Sequence, residues 1–353
     1  MPEWRPDMNP PVFASLTPAF ILDALAALGL MPDGRLMALN SFENRVYLAQ
    51  LEPGTPLAAE HPALVLKFYR PGRWSAEQIE EEHAFAQELM AAEVPVVGPL
   101  AIGGRTLHQH EGMAFSVSPR RGGRAPELDD EDTLAWIGRF LARLHMVGER
   151  ATFRHRPAVD LASYGTEPRA WLLAHAGLPL EVEREWAGVS QQALDAVADA
   201  LAALDAPGGD DAATGIRRLR LHADCHIGNI LWTPAELPGG GPHFVDLDDC
   251  RSGPAVQDLW MLQSGTRAER QRQLGALLDG YEQMREFDRR ELALIEPLRT
   301  LRLIHYSAWI ARRWDDPAFP AAFPGFGTPD YWRGQIATLR EQLEAMAEPA
   351  LVA

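Results

Sequence analysis

Cysteine is almost absent from this sequence. Cys225 and Cys250 are the only two, too few for a disulfide framework, and neither falls in a CxxC pair or a Cys/His cluster with zinc spacing. A reduced compartment fits. Positive charge is also short: 33 Lys and Arg face 49 Asp and Glu, a formal net charge of -16. That balance opposes the counterion release on which polyanion binding depends, which excludes nucleic acid as a partner but leaves room for a local basic pocket. No apolar run reaches the roughly eighteen residues that a spanning helix needs. The opening MPEWRPDMNPP lacks a basic region followed by an apolar stretch, so the chain reads as cytoplasmic, with no membrane partner.

What is present is enough for a large core. At 353 residues and 46% hydrophobic, the chain is long enough for two lobes. From Leu36 to Leu51 and from Leu64 to Phe68, apolar and β-branched residues separated by EPGTP read as strands. One helix interrupts them: SAEQIEEEHAFAQEL begins at a cap, Ser75, and repeats apolar residues at Ile79, Phe85, Ala86 and Leu89. Strand signals return in TLHQHEGMAFSVS, and PRRGGRAPE supplies the Pro and Gly of an interlobe connection. Beyond it, helical periodicity dominates: Leu134–Met146, QQALDAVADALAALDA ahead of a Gly- and Asp-rich loop at Pro207–Gly215, Ala255–Glu286, Arg289–Arg313 and Tyr331–Met346. The expected fold is α+β and bilobed. A small β-rich lobe with one helix covers residues 1–119, and a larger, mainly helical lobe covers 120–353.

The chemistry concentrates in RLHADCHIGNILW. A short strand, RRLRLHA, leads into DCHIGN and out through ILW, and HFVDLDD follows a Gly-rich turn. Two strand ends would then present Asp224, Asn229 and Asp246 together. His222, Asp224 and Asn229 match the H-x-D-x-x-x-x-N catalytic loop of protein kinases, with Asp246 where a metal-binding Asp would follow. Phosphoryl transfer needs such a set: one carboxylate to accept the hydroxyl proton, and a carboxylate and a carboxamide to hold magnesium against the triphosphate. Asp224 is the expected base, Asn229 and Asp246 the metal ligands. In ALVLKFYR, Lys67 interrupts an apolar strand, where a buried ammonium is costly unless paired. The following helix offers Glu82, on the inward face of Phe85 and Leu89, with Glu81 as the alternate.

The stretches LNSFENRVY, VLKFYRPGRW, EEHAFAQEL, RLHADCHIGNILW, FVDLDDCRSGPAVQDLWML and IEPLRTLRLIHYSAWIARRWDDPAFP closely resemble the bacterial stress-response kinases of the aminoglycoside phosphotransferase and choline kinase group. The likeness runs from about Phe20 to Trp332. It implies a bilobed protein-kinase-like fold, ATP and Mg2+ as cofactors, and phosphorylation of a protein serine or threonine. It further implies survival of envelope and oxidative stress as the role, and a monomer. By the same resemblance Asp224 is the proton acceptor, Asn229 and Asp246 bind magnesium, and Ser41 lies beside the ATP phosphates.

Some motifs of protein kinases are missing. There is no G-x-G-x-x-G between the first two strands, where Asn40, Ser41 and Asn44 form a polar turn instead. DLD stands in place of D-F-G, and no A-P-E closes an activation loop. The catalytic loop alone also suits a small-molecule phosphotransferase acting on an amino alcohol, sugar or antibiotic. A nucleotide-binding regulator without catalysis is disfavoured by the intact Lys67, Asp224, Asn229 and Asp246. Other features read as structural: Asp258 braces the catalytic loop, and His226 orders it. Trp260, Tyr306 and Trp309 read as core, and Asp248 as sharing a strand face with Asp246. Cys225 and Cys250 lie near enough to the site that oxidation of either thiol is a route to inhibition.

Overall fold

The computed structural model describes residues 12–205 and 215–352. The opening residues and the Gly- and Asp-rich stretch 207–214 lie outside them. The chain divides into two compact units, one running to Gly123 and joined by Asp315–Ala321, the other made of Arg124–Trp314 and the residues from Ala322 onward.

In the smaller unit, β1 (Pro32–Ala38), β2 (Arg45–Leu51), β3 (Ala63–Phe68), β4 (His108–His110) and β5 (Met113–Pro119) form a sheet in the order β1-β2-β3-β5-β4. Every pairing is antiparallel. Leu64, Leu66 and Phe68 alternate along β3 and are fully buried, and Phe68 stacks on Phe115 of β5 at 5.2 Å. Helix α1 (Pro18–Ala26) lies ahead of the first expected strand. Thr17 caps it by accepting from Phe20 N, and Ile21, Ala24 and Leu25 enter the same core. Helix α2 (Ala76–Ala91) starts from Ser75 with a full capping box to Gln78.

The segment Asp315–Ala321, which periodicity alone assigns to the larger lobe, is tied to the small unit by charge. Asp316, 6% exposed, accepts both from Arg45 at 2.9 Å and from Arg70. Burial pushes the Asp316 carboxyl up, but its bonds from Arg70, Ala318 and Arg45 outweigh it and hold the group below the usual carboxylate range. Helix α9 (Ala318–Ala322) begins here.

The larger unit is mainly helical: α3 (Glu131–Gly148), α4 (Glu167–His175), α5 (Leu180–Asp205), α6 (Gln257–Trp260), α7 (Arg267–Tyr281), α8 (Ile295–Ala311) and α10 (Pro329–Ala347). Helix α3 buries Leu134, Ile137, Leu141 and Leu144 on one face. Against α7 it approaches backbone to backbone: a Cβ on Gly280 would stand 1.7 Å from the Ala135 carbonyl, so only glycine fits. Two small ladders complete the unit. Strand β6 (Leu219–Leu221) pairs with β9 (Arg251–Gly253), and β7 (Ile230–Thr233) with β8 (Gly241–Phe244).

Two expected helices are shorter than their periodicity. Ala255–Glu286 breaks after the single turn of α6, because Gly265 takes φ 83 and Thr266 opens a new capping box with Glu269. Arg289–Arg313 starts as a 3-10 turn over Arg289–Leu294 before α8. Among the described residues no helix is long and apolar enough to cross a membrane.

Candidate functional site

The loop between β6 and β7 carries His222, Asp224 and Asn229, and its backbone is strained. Ala223 sits at φ 66, a left-handed conformation that costs an L-residue roughly 1–2 kcal/mol. The surrounding structure holds it there. Asp258, fully buried, accepts from Ala223 N at 2.7 Å and from His222 N at 2.9 Å, and Gln257 donates to the Ala223 carbonyl at 2.8 Å. Asp258 is itself anchored by His145 Nε2 at 3.1 Å, and His145 Nδ1 meets the Tyr281 hydroxyl at 2.8 Å. The expected bracing role of Asp258 is thus realised by two backbone N–H groups and an imidazole.

Asp224 and Asn229 meet directly. The Asn229 amide donates to the Asp224 carbonyl at 2.9 Å and to Asp224 Oδ2 at 3.3 Å. With its side-chain N–H groups used this way, Asn229 keeps its side-chain oxygen Oδ1, as distinct from its backbone carbonyl, for another ligand. The β7–β8 register pairs Ile230 with Phe244, and Val245 N donates to the Asn229 carbonyl at 3.0 Å. This sets Asn229 beside the end of β8. His222 Nε2 fastens the same strand end through the Val245 carbonyl at 2.9 Å. Asp246 follows immediately, at φ 60 and ψ 61, a second left-handed non-glycine. The strand does not continue. Leu247–Asp249 form a 3-10 turn, so the shared strand face expected for Asp246 and Asp248 does not exist; the Asp248 carbonyl instead accepts from Arg156.

A hard cation suits this set. Magnesium takes oxygen ligands and is bound through one or two carboxylates plus substrate phosphates, so one Asp and one Asn carbonyl are enough. Among the described residues there is no cluster of three or more His, Cys, Asp or Glu that could hold a metal ion by itself.

Beside Asp224 lies a residue that sequence reasoning misses. Arg302 of α8 places Nη1 2.7 Å from Asp224 Oδ1. Burial works against its charge, but Asp224 and Tyr164 outweigh that and hold the guanidinium protonated above its ordinary value. The sequence signal is slight: an arginine that interrupts an aromatic helix. Two neighbours correct the expectation of a core. Tyr306 is 41% exposed and Trp309 half-buried, their rings stacked at 5.5 Å, whereas Trp260 is buried as expected. His226 caps the turn at Ile227–Asn229, accepting from Gly228 N at 3.0 Å, with Nε2 3.5 Å from Asp224 Oδ2. Burial pushes its pKa down, which leaves a neutral ring in the ordering role expected.

In the smaller unit, Ser41 lies in the turn between β1 and β2, accepting from Val46 N at 3.2 Å and donating to the Leu39 carbonyl at 3.3 Å. Asn44 accepts from Arg70 N at 3.1 Å. Lys67 sits on β3 in register with Val46 and Ser116. It is the single lysine of the chain, every other basic Lys/Arg position being arginine, a signal that the sequence already carries. Glu82 is on the buried face of α2 at 5% exposure, while Glu81 is half-exposed. Beside it runs a network that no sequence pattern announces: Thr106 Oγ1 to His83 Nδ1 at 2.9 Å, His83 Nε2 to the Tyr69 hydroxyl at 2.7 Å, and Tyr69 to Ser116 at 3.0 Å.

Cys225 and Cys250 are both fully buried, and burial, reinforced by Asp258 and Asp224, pushes the Cys225 thiol well above its usual value. A thiol in that setting is a poor nucleophile, which removes the case for redox inhibition.

Comparison with known proteins gives the family. The profile of the "phosphotransferase enzyme family" matches residues 36–295. The chain is 46% identical over 339 residues to the serine/threonine protein kinase RdoA of Salmonella typhimurium, with 96% of each chain covered. It is 45% identical over the same length to stress response kinase A of Escherichia coli K12, again covering 96% of each. Among solved structures, amicoumacin kinase hAmiN in complex with AMP-PNP, Ca2+ and Ami matches at TM-score 0.67 and 20% identity, covering 93% of both chains. A microcompartment-associated aminopropanol kinase matches at TM-score 0.66 and 22% identity, over 92% of this chain and 98% of that one.

Proposed function

This chain belongs to the phosphotransferase enzyme family, and on that premise we propose that it is an ATP-dependent serine/threonine protein kinase of a bacterial stress response. The observation that carries the chemistry is the strained, over-determined loop that places Asp224 against Asn229. The choice of a protein acceptor is supported by the names of the relatives that match along nearly the whole chain.

In this reading Asp224 orients the acceptor hydroxyl and takes its proton as the oxygen bonds to the γ-phosphorus. The bond from that phosphorus to the bridging oxygen of ADP breaks, and the proton ends on the Asp224 carboxylate. Magnesium, when bound, neutralises charge on the phosphate oxygens, and the Asn229 carbonyl and the Asp246 carboxylate would hold it. Ser41 and Lys67 would meet the nucleotide phosphates, with Glu82 orienting Lys67. A lysine kept alone among arginines supports that assignment, because a compact ammonium on a flexible stem does what a planar guanidinium cannot. Magnesium rather than another divalent ion, a cytoplasmic setting and a monomeric state complete the reading.

The test is to incubate purified protein with Mg-ATP and a protein acceptor, and to identify the phosphorylated amino acid, alongside Asp224→Asn. Phosphoserine or phosphothreonine formed by wild type and lost in the variant is expected. Turnover only with small hydroxyl compounds would replace the protein-kinase reading with a small-molecule phosphotransferase.

A further inference from the structure

The base Asp224 is approached from one side by α8, and what that helix presents is cationic and aromatic. Arg302 pairs with Asp224 by charge, its Nη1 2.7 Å from Asp224 Oδ1, and its side chain is 29% exposed. The guanidinium carries five N–H donors in a planar fork, a geometry that suits a carboxylate. One turn further, Tyr306 is exposed and stacks on Trp309, and Phe323 meets both rings edge-on at 6.2 and 6.1 Å. Behind them Arg251 lies 4.9 Å above the Tyr164 ring, and Tyr164 stacks on His305 at 4.2 Å. Burial pushes His305 down to about 3, so that ring is neutral at working pH. Asp249 is a further carboxylate that acts on Tyr164, His305 and Arg302, and it lies 3.9 Å from Arg251.

This surface is wrong for an alkylammonium acceptor. A cationic amine would stand against Arg302, and the Trp309 face that would cage it already has the Arg313 guanidinium 5.5 Å from its centroid. It is right for a chain segment that lays apolar atoms on Tyr306 and Trp309 while a carboxylate meets Arg302.

We infer that the acceptor is a flexible peptide segment whose residues beside the phosphorylated serine or threonine are acidic or uncharged, and that Arg302 sets this preference. The inference rests on the reading of Asp224 as the proton acceptor and adds the substrate class to it. Arg302 acts through charge and position; it does not itself exchange a proton.

The experiment uses two peptides of one sequence around a single serine, one flanked by aspartates and one by arginines, with choline as a third acceptor, all at saturating Mg-ATP. Wild type is expected to favour the acidic peptide by about tenfold or more in kcat/KM, mainly through KM, and to leave choline unphosphorylated. Arg302→Gln should bring the ratio toward one, and Arg302→Lys should keep its direction, a pattern that a merely structural role would not produce. Thermal unfolding of both variants checks that they fold. A preference for the basic peptide, choline as the best acceptor, or a ratio unchanged in Arg302→Gln would overturn the inference. Failure of the underlying reading looks different: Asp224→Asn would then transfer phosphate at the wild-type rate whatever the peptide.

Discussion

Two loops of the candidate site, around Asp224 and around Ser41, are held by opposite means. The Asp224 loop is pinned from behind by groups with no access to water: Asp258 and Gln257 fix the peptide at Ala223, and His145 fixes Asp258. The Ser41 turn is held from its flanks by partly exposed arginines. Arg45 donates to the carbonyls of Phe42 and Asn44 at 3.0 and 3.1 Å, Arg70 to that of Glu43 at 2.9 Å, and both reach Asp316. Guanidinium N–H groups cover those carbonyls, and Glu43, 3.0 Å from Arg70, and Asp316 balance part of their charge. In the proposed reading, the loop that places the base is thus built on buried, strained backbone, and the turn that would meet phosphate is held by the charged cluster of Arg45, Arg70 and Asp316.

Breaking the buried side should cost most. Asp258→Ala leaves two backbone N–H groups and His145 without their acceptor, and unfolding in denaturant should show a loss of about 3–5 kcal/mol, with activity falling alongside it. An intact protein with full activity would show that Ala223 holds its conformation unaided.

Glu291 sharpens the same side through pH. It accepts from Val256 N at 2.8 Å next to α6, and burial pushes its carboxyl from 4.5 up to about 7. The folded state therefore keeps this proton longer than the unfolded chain does. Stability from this group is full below about pH 4.5 and declines as pH rises to about 7. Glu291→Gln, which mimics the protonated acid, should gain on wild type between pH 5 and 8, by on the order of 2–3 kcal/mol at most. A difference that stays flat with pH would place the titration elsewhere.

The exposed side should be softer. Ser41→Ala removes the acceptor of Val46 N, and a stability loss of about 0.5–1.5 kcal/mol is expected from melting curves. The smallest effect belongs to the thiols. Cys225→Ser and Cys250→Ser should leave sensitivity to peroxide unchanged, since both side chains are out of reach in wild type; rapid alkylation of the native protein by iodoacetamide would contradict that.

Local signals make much of this legible. The cap at Ser75, the alternation of β3 and the apolar face of α3 each announce their element, because cap chemistry and periodicity act over a few residues. The order of His222, Asp224, Asn229 and Asp246 marks the candidate site for a similar reason: these residues lie on one short loop and one hairpin. What stays hidden is long-range. Arg302 reaches Asp224 from 78 positions along the chain, and Asp316 reaches back to Arg45 across 271. Such pairs are chosen by packing, and no spacing rule encodes them. Asp248 departs from expectation for a different reason. The period of two holds only while a strand lasts, and the left-handed turn at Asp246 ends it.

The most direct measurement is a steady-state comparison of Asp224→Asn and Ser41→Ala, varying ATP at a saturating protein acceptor. The proposed roles of Asp224 as base and of the Ser41 turn at the phosphates predict separate signatures: Asp224→Asn lowers kcat by about 10²–10⁴ with little change in KM for ATP, and Ser41→Ala raises KM for ATP several-fold with kcat nearly kept. The reverse pattern, with Asp224→Asn affecting only KM and Ser41→Ala abolishing turnover, would contradict the account.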